Sequence, residues 1–314
     1  MIKEKKITVV GAGFVGASVT YTLAARNLAH EIVLIDINKE KATGEAVDIS
    51  HSAPVFGSVD IKSGEYSDVK DSDIIILTAG VGRKPGETRM DLANKNISIM
   101  KSIVDEIMKY YNGGIFVIVS NPVDVVTAMV TKWTGLPASK VIGSGTSLDS
   151  IRLQQTLYPM YDVDVKEIDA YMIGEHGETQ FPFWSKANIG NVPITEYPKK
   201  DGTYLTEEEM ANIGTEVKAS GSFIIKNKGA TYFGVASATS EIVNAIFSCS
   251  KKILPVSMLK DDVYGFKNVA VSMPRIISGE GIIADVPVKL SAQEEELMKK
   301  SAENVYTITK EFFN

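Results

Sequence analysis

The sequence predicts an α/β protein whose N-terminal half is a doubly wound parallel sheet and whose C-terminal half is α+β. Three observations carry this reading. Short β-branched runs alternate with helical segments as far as residue 142. A glycine turn, Gly11-x-Gly13-x-x-Gly16, stands between the first such run and the first helix. Beyond residue 145 the alternation stops, and long helices and paired strands follow in mixed order. Repeated βα units imply a parallel sheet with right-handed crossovers, whereas mixed order implies α+β. We therefore expect a boundary between residues 144 and 145, dividing 1–144 from 145–314.

Residues 6–10 (Lys-Ile-Thr-Val-Val) form a short β-branched run, as a buried parallel strand requires. The glycine turn follows, then a helix over 17–29, a second strand over 31–35 and Asp36. A bare GxGxxG is a weak signal. Here a strand precedes it, a helix follows it and an acid lies 20 residues beyond its last glycine. Gly11 permits the tight turn, Gly13 lets the backbone approach a pyrophosphate, and Gly16 lets the helix pack on the sheet. The helix N-terminus offers free N–H groups to a phosphate. Asp36 accepts from two ribose hydroxyls and repels a 2′-phosphate. The first half is thus a Rossmann unit that favours NAD over NADP.

Residues 59–62 are a weak strand and 73–77 a strong one. The spacing of Ile97, Met100, Ile103, Val104 and Ile107 predicts a helix over 97–111 with one apolar face. A buried strand over 115–119, a short helix over 125–133 and a strand over 140–142 complete the half. Ligands of such sheets sit beyond the carboxyl ends of the strands. Those ends carry Thr78-Ala79-Gly80, Ser120-Asn121-Pro122 and Gly143-Ser144-Gly145, all small or polar. Between the strand over 73–77 and the next helix, a glycine- and proline-marked loop bears Arg83 and Arg89. A solvated basic loop is one reading; its place at a ligand edge raises the other, a lid that brings guanidinium groups onto an anion.

In the second half a helix opens near Thr146 and carries Asp149 and Arg152 three residues apart, on one face. A plain i,i+3 salt bridge is one reading; an acid that orients a histidine beside an arginine that holds a carboxylate is the other. A strand over 165–173 leads to Gly174-Glu-His176-Gly-Glu178, a turn that presents one of only three histidines. Imidazole is the side chain that exchanges a proton near neutral pH. Helices follow over 207–226 and from 229 to about 253, the latter carrying Cys249 as an inert core thiol. Strands over 269–273 and 281–285 and a helix after a Ser291-to-Glu294 capping box end the chain.

Composition narrows the function classes. Apolar residues make up 44% and charged residues 23%, ordinary values for a globular enzyme. The net charge of −6 argues against a nucleic-acid surface. One cysteine allows no internal disulfide, and without a CxxC or His-Cys cluster no metal site is expected. No apolar leader follows Met1 and no apolar run spans a membrane, so a cytoplasmic location is expected.

GAGFVG, KPGETR, SNPVD, LDSIR, IGEHG and KGATY together resemble the lactate/malate dehydrogenase family over nearly the whole chain. That resemblance implies reversible hydride transfer between NAD and the C2 of an L-2-hydroxy acid. It implies His176 as general acid/base, Asp149 as its partner and Arg89 as the group that polarises the carbonyl. It gives substrate contacts to Arg83, Arg89, Asn121, Arg152 and Thr231. It gives cofactor contacts to Gly11, Ala12, Gly13, Phe14, Val15, Gly16, Asp36, Thr78, Ala79, Gly80, Asn96, Val119, Ser120 and Asn121. It implies a homo-oligomer, tetramer or dimer. Within the family Arg before the lid's KPG resembles malate dehydrogenases and Gln there lactate dehydrogenases. Arg83 also matches a second carboxylate, and an unpaired buried charge is costly. The expectation is therefore a malate dehydrogenase of the tricarboxylic acid cycle, acting on a small dicarboxylate. The Glu87–Leu92 part of the lid, the stretch 173–185 and the KGATY segment look more like lactate dehydrogenases. An L-lactate dehydrogenase is thus the alternative, and a non-catalytic NAD-binding protein a remote one.

Overall fold

The computed structural model describes residues 4–82 and 89–313, with the backbone alone at Arg89. Strands β1 (Lys6–Val10), β2 (Glu31–Ile35), β3 (Asp60–Ser63), β4 (Ile74–Leu77), β5 (Ile115–Ile118) and β6 (Val141–Gly143) run parallel, in spatial order β3-β2-β1-β4-β5-β6. They are joined through α1 (Phe14–Ala25), α2 (Lys39–Ser50), a single turn α3 (Ala53–Phe56), α4 (Arg89–Met108) and α5 (Val123–Thr134). Ile7, Val9, Ile32, Leu34, Ile74 and Ile76 pack into one core, while Val10, Val33, Ile35, Ile75 and Leu77 pack into another. Successive strand side chains point to opposite faces, and here both faces are buried. That is why these runs are continuously apolar and do not alternate. The strand order reverses between β1 and β4, opening a crevice at their carboxyl ends.

The second half begins with α6 (Ser147–Leu157). Of the strand expected over 165–173, only β7 (Ile168–Asp169) and β8 (Met172–Ile173) pair, and Val165–Glu167 form a 3-10 turn instead. The short strands β9 (Phe181–Pro182), β10 (Asn188–Ile189) and β11 (Val192–Pro193) precede two helices, α7 (Glu207–Lys228) and α8 (Phe233–Phe247). A capping box between Thr206 and Glu209 opens α7, each side chain accepting from the other residue's backbone N–H. The chain ends with β12 (Lys252–Val263), β13 (Phe266–Ser278), β14 (Gly281–Asp285) and α9 (Ala292–Phe313).

Two expectations fail here. Helix α8 stops at Phe247, because Cys249 and Lys251 turn the chain with φ of 50° and 55°. Cys249 is therefore exposed and is not a core thiol. The residues read as the tail of that helix begin β12, a strand the sequence reading missed. β12 pairs antiparallel with β13 along its length and with β6 at Ser257↔Gly143. Without it β6 would be an open sheet edge. With it the sheet continues into the C-terminal half, in the order β14-β13-β12-β6-β5-β4-β1-β2-β3.

Candidate active site

The glycine turn lies at the head of the crevice. Gly11 takes φ +112°, and a Cβ there would meet Ala79 N and Thr78 Oγ1 at 2.7 Å. A Cβ at Gly16 would fall 1.7 Å from Gly11 O, so the fold itself demands this glycine. Gly13 differs, since a Cβ there would meet nothing within 4 Å. The space above Gly13 is open, as close approach of a phosphate group requires. Asp36 closes the turn from β2: its Oδ2 accepts from Ala12 N at 2.6 Å and its Oδ1 from Asn38 N at 2.8 Å. Each carboxylate oxygen keeps acceptor capacity for a ribose hydroxyl. Phe14 is 69% exposed and stacks on Tyr232, next to Thr231, with ring centroids 5.5 Å apart.

The other strand-end residues brace this crevice. Thr78 Oγ1 donates to the carbonyls of Val10 and Gly11, and Ser120 Oγ to those of Leu77 and Ala79. Asn96 on α4 is buried; its Oδ1 accepts from Val81 N, and its Nδ2 donates to Val81 O and Asn121 O. Asn96 thus holds both the strand end at Gly80 and the turn carrying Asn121, whose peptide to Pro122 is cis.

A cavity of about 360 Å³ unites the two halves. It is lined by Val15, Val119 and Asn121 from the first and by Asp149, Arg152, His176 and Thr231 from the second. The turn bearing His176 is tightly fixed. Gly174 takes φ +95°, and its N–H and C=O exchange 2.9 Å hydrogen bonds with Ser272 of β13. His176 N donates to Asp124 Oδ2 at 2.7 Å. Its ring Nδ1 donates to Asp149 Oδ2 at 2.6 Å, leaving Nε2 as the nitrogen available to a substrate. Asp149 Oδ1 accepts from Arg152 Nη1 at 2.9 Å, so one fully buried carboxylate joins the imidazole to the guanidinium. Asp149 thus makes the i,i+3 salt bridge with Arg152 and holds the His176 ring at the same time.

The electrostatics follow from this geometry. Burial pulls the His176 imidazole down, but the charge and hydrogen bond of Asp149, with the charge of Asp124, outweigh it and push the group up to about 9. Burial pushes the Asp149 carboxyl up, yet His176 and then Arg152 hold it below its usual range. A cationic imidazole and a guanidinium therefore face the cavity together, suited to a small anion with an oxygen that gains charge. Arg83 lies outside the described residues, as does the side chain of Arg89. Among the described residues, no group of three or more His, Cys, Asp or Glu is placed to hold a metal ion.

Sequence reasoning missed Asp124 and Ser257. Asp124 is the one charged residue in the first turns of α5, Val123 to Val130, where Thr127 is the only other polar side chain, and that was a legible sign of a buried carboxylate. Ser257 sits on the unexpected β12 and had no local signal.

Comparison with known proteins supplies the family. Residues 5–143 match the model for the lactate/malate dehydrogenase NAD binding domain, and residues 146–314 match that for the alpha/beta C-terminal domain. An L-lactate dehydrogenase of Lacticaseibacillus casei is 41% identical over 310 residues, covering 99% of this chain and 95% of that one. One from Clostridium perfringens (strain SM101 / Type A) is 46% identical over 312 residues, 96% of each. The crystal structure of a lactate dehydrogenase from a Medee basin deep-sea metagenome library superposes with a TM-score of 0.94 at 37% identity, covering all of both chains. The L-lactate dehydrogenase from Clostridium thermocellum superposes at 0.86, with 43% identity over 99% of this chain and 100% of that one.

These relatives overturn the expectation of a malate dehydrogenase of the tricarboxylic acid cycle with a dicarboxylate substrate. That expectation rested on Arg83 alone. The desolvation argument for it holds only if the guanidinium is sealed in the cleft, and the residue lies outside what the structure describes. NAD is the cofactor that the matched N-terminal half takes, and the open approach at Gly13 and the braced Asp36 fit it. With both halves matched and identity of 41–46% to curated relatives along nearly the whole chain, the protein belongs to the lactate/malate dehydrogenase family, NAD-dependent dehydrogenases of small 2-hydroxy acids.

Proposed function

We propose that the chain is an L-lactate dehydrogenase that interconverts L-lactate and pyruvate. The observation that carries the chemistry is Asp149, hydrogen-bonded to His176 through one oxygen and to Arg152 through the other. The L-lactate dehydrogenases among its relatives support pyruvate as the keto acid.

In this reading Arg152 grips the substrate carboxylate with the N–H groups that Asp149 leaves free, a planar bidentate match that lysine lacks. Asn121 hydrogen-bonds the substrate and Thr231 limits the space beside its methyl group. NADH, when bound, supplies the hydride that reaches C2. As the carbonyl oxygen gains negative charge, His176 donates its Nε2 proton to it, giving the hydroxyl of lactate and a neutral imidazole. Asp149 keeps the hydrogen on Nδ1 throughout and stabilises the cation before transfer. Arg89, which opens α4, polarises the same oxygen. In the reverse direction neutral His176 takes the hydroxyl proton. Residues 11–16 would hold the cofactor, Asp36 would accept from its ribose, and Thr78, Ala79, Gly80, Asn96, Val119 and Ser120 would form or brace the groove.

We extend the reading to a nucleotide unit over 1–144, a substrate unit over 145–314 and a cytoplasmic homo-oligomer. Among the described residues no helix is long and apolar enough to cross a membrane. The direct test is NADH oxidation by the purified protein with pyruvate or oxaloacetate. We expect a higher kcat/KM with pyruvate. A preference for oxaloacetate, or no turnover with either, would overturn the proposal.

A further inference from the structure

We propose that Asp124 is a positioning residue of the reaction. Its buried carboxylate ties the His176 turn to the turn carrying Asn121 and stations a second negative charge behind the imidazole. This deepens, and rests on, the reading of His176 as proton donor.

Asp124 is 2% exposed and lies in the first turn of α5, three residues after Asn121. Its Oδ2 accepts from His176 N at 2.7 Å, and its Oδ1 accepts from Ser257 Oγ at 2.5 Å. Ser257 is the residue through which β12 pairs with Gly143 of β6. One side chain therefore joins three separate pieces: helix α5, the antiparallel half of the sheet, and the catalytic turn. Asn121 is fixed from the other side by Asn96 Nδ2 at 2.8 Å. Asp124 and Asn96 together set how far His176 stands from Asn121 across the cavity.

Geometry alone would not require an acid. An asparagine fills the same space, accepts from His176 N through its oxygen, and donates its amide to a reversed Ser257 hydroxyl. What the acid adds is charge, placed where burial opposes it. Burial pushes the Asp124 carboxyl up to about 6, against the lowering hydrogen bonds from Ser257 and His176. The N-terminus of α5 favours the anion as well. The charged groups facing it are Glu175 and His176 on the turn, and Arg275 on β13. Arg275 is itself held by Asp285 and the carbonyls of Val256 and Val271. Asp149 lies beyond the imidazole. Among the described residues no cation forms an ion pair with Asp124, so its charge is left to act on the His176 ring. Between about pH 6 and about pH 9 the carboxylate and the imidazolium coexist. Below that range Asp124 is neutral and the second charge is gone.

The test is nuclear magnetic resonance of the full-length protein labelled with [15N]histidine. The three histidines give three amide signals and three pairs of ring-nitrogen signals, and His176→Asn identifies the relevant set. In the wild type we expect the His176 amide to inflect near pH 6, separately from its ring, because its acceptor is then protonated. In Asp124→Asn that inflection disappears, and the ring titrates about one pH unit lower. The basic limb of the kcat/KM profile moves by the same amount. A flat wild-type amide, an amide that titrates only together with the ring, or an unmoved ring in the variant would overturn the proposal. The wild-type amide decides the matter if Asp124→Asn fails to fold. The resonance readings need no substrate, so they remain valid if the pyruvate assay fails.

Discussion

The nucleotide turn and the His176 turn are both glycine-flanked loops at strand ends, but they are built differently. The first is contiguous. Gly11, Gly13 and Gly16 do their work within six residues, and Asp36 reaches back from the next strand to bond Ala12 N. The second is assembled from distant parts. His176 is held by Asp149 from α6, by Asp124 from α5, and through Gly174 by Ser272 of β13. A backbone-built site depends on space and N–H groups. A site built from buried carboxylates depends on charge, so the two should respond differently to substitution and to pH.

The largest expected effect lies in the assembled turn. His176→Asn removes the transferable proton, and kcat for pyruvate should fall roughly 10²–10⁴-fold, while NADH affinity, measured by fluorescence titration, stays within a factor of about two because the cofactor turn is untouched. Loss of NADH binding as well would mean the two regions are not separable. Asp149→Asn keeps the shape but no longer secures the tautomer, and should lower kcat by a comparable amount, up to about 10⁴-fold.

Arg152→Lys keeps the charge but loses the fork. We expect kcat/KM for pyruvate to drop about 10²-fold, chiefly through KM in steady-state assays. An unchanged KM would remove Arg152 from the substrate carboxylate. The smallest effects lie in the contiguous turn and split it. Gly13→Ala meets open space, so its melting temperature should be unchanged while NADH binding weakens about tenfold. Gly16→Ala forces a Cβ onto Gly11 O and should lower the melting temperature by roughly 5 °C or more. Equal thermal effects would show that Gly13, too, is required by packing.

The same contrast explains what the sequence made legible. The strands of the first half were readable because both sheet faces are buried, so runs such as Ile74–Leu77 are apolar throughout. The glycine turn was readable because its parts are adjacent. Asp149, Arg152 and His176 were found through motif resemblance, yet the bonds that join them are tertiary. β12 was missed because only four consecutive residues near its middle, Pro255–Met258, are buried, and its charged ends mask any period. With it went Ser257, which lies 133 residues from Asp124 in the chain. The malate expectation failed for a different reason. It gave one lid cation more weight than the lactate-dehydrogenase-like character of the 173–185 and KGATY stretches, which the relatives now support.

We propose that buried carboxylates keep His176 protonated, ready to give its proton to a keto acid. The most direct test is the pH dependence of wild-type kcat/KM in both directions, with NADH and pyruvate and with NAD and lactate. Reduction needs the imidazolium, so its rate should stay level through neutral pH and fall as pH rises through a value well above the ordinary 6.5, toward about 9. Oxidation needs the neutral ring and should rise through the same value. Reduction that falls already at or below pH 6.5, or two directions that respond to pH in the same sense, would contradict the account.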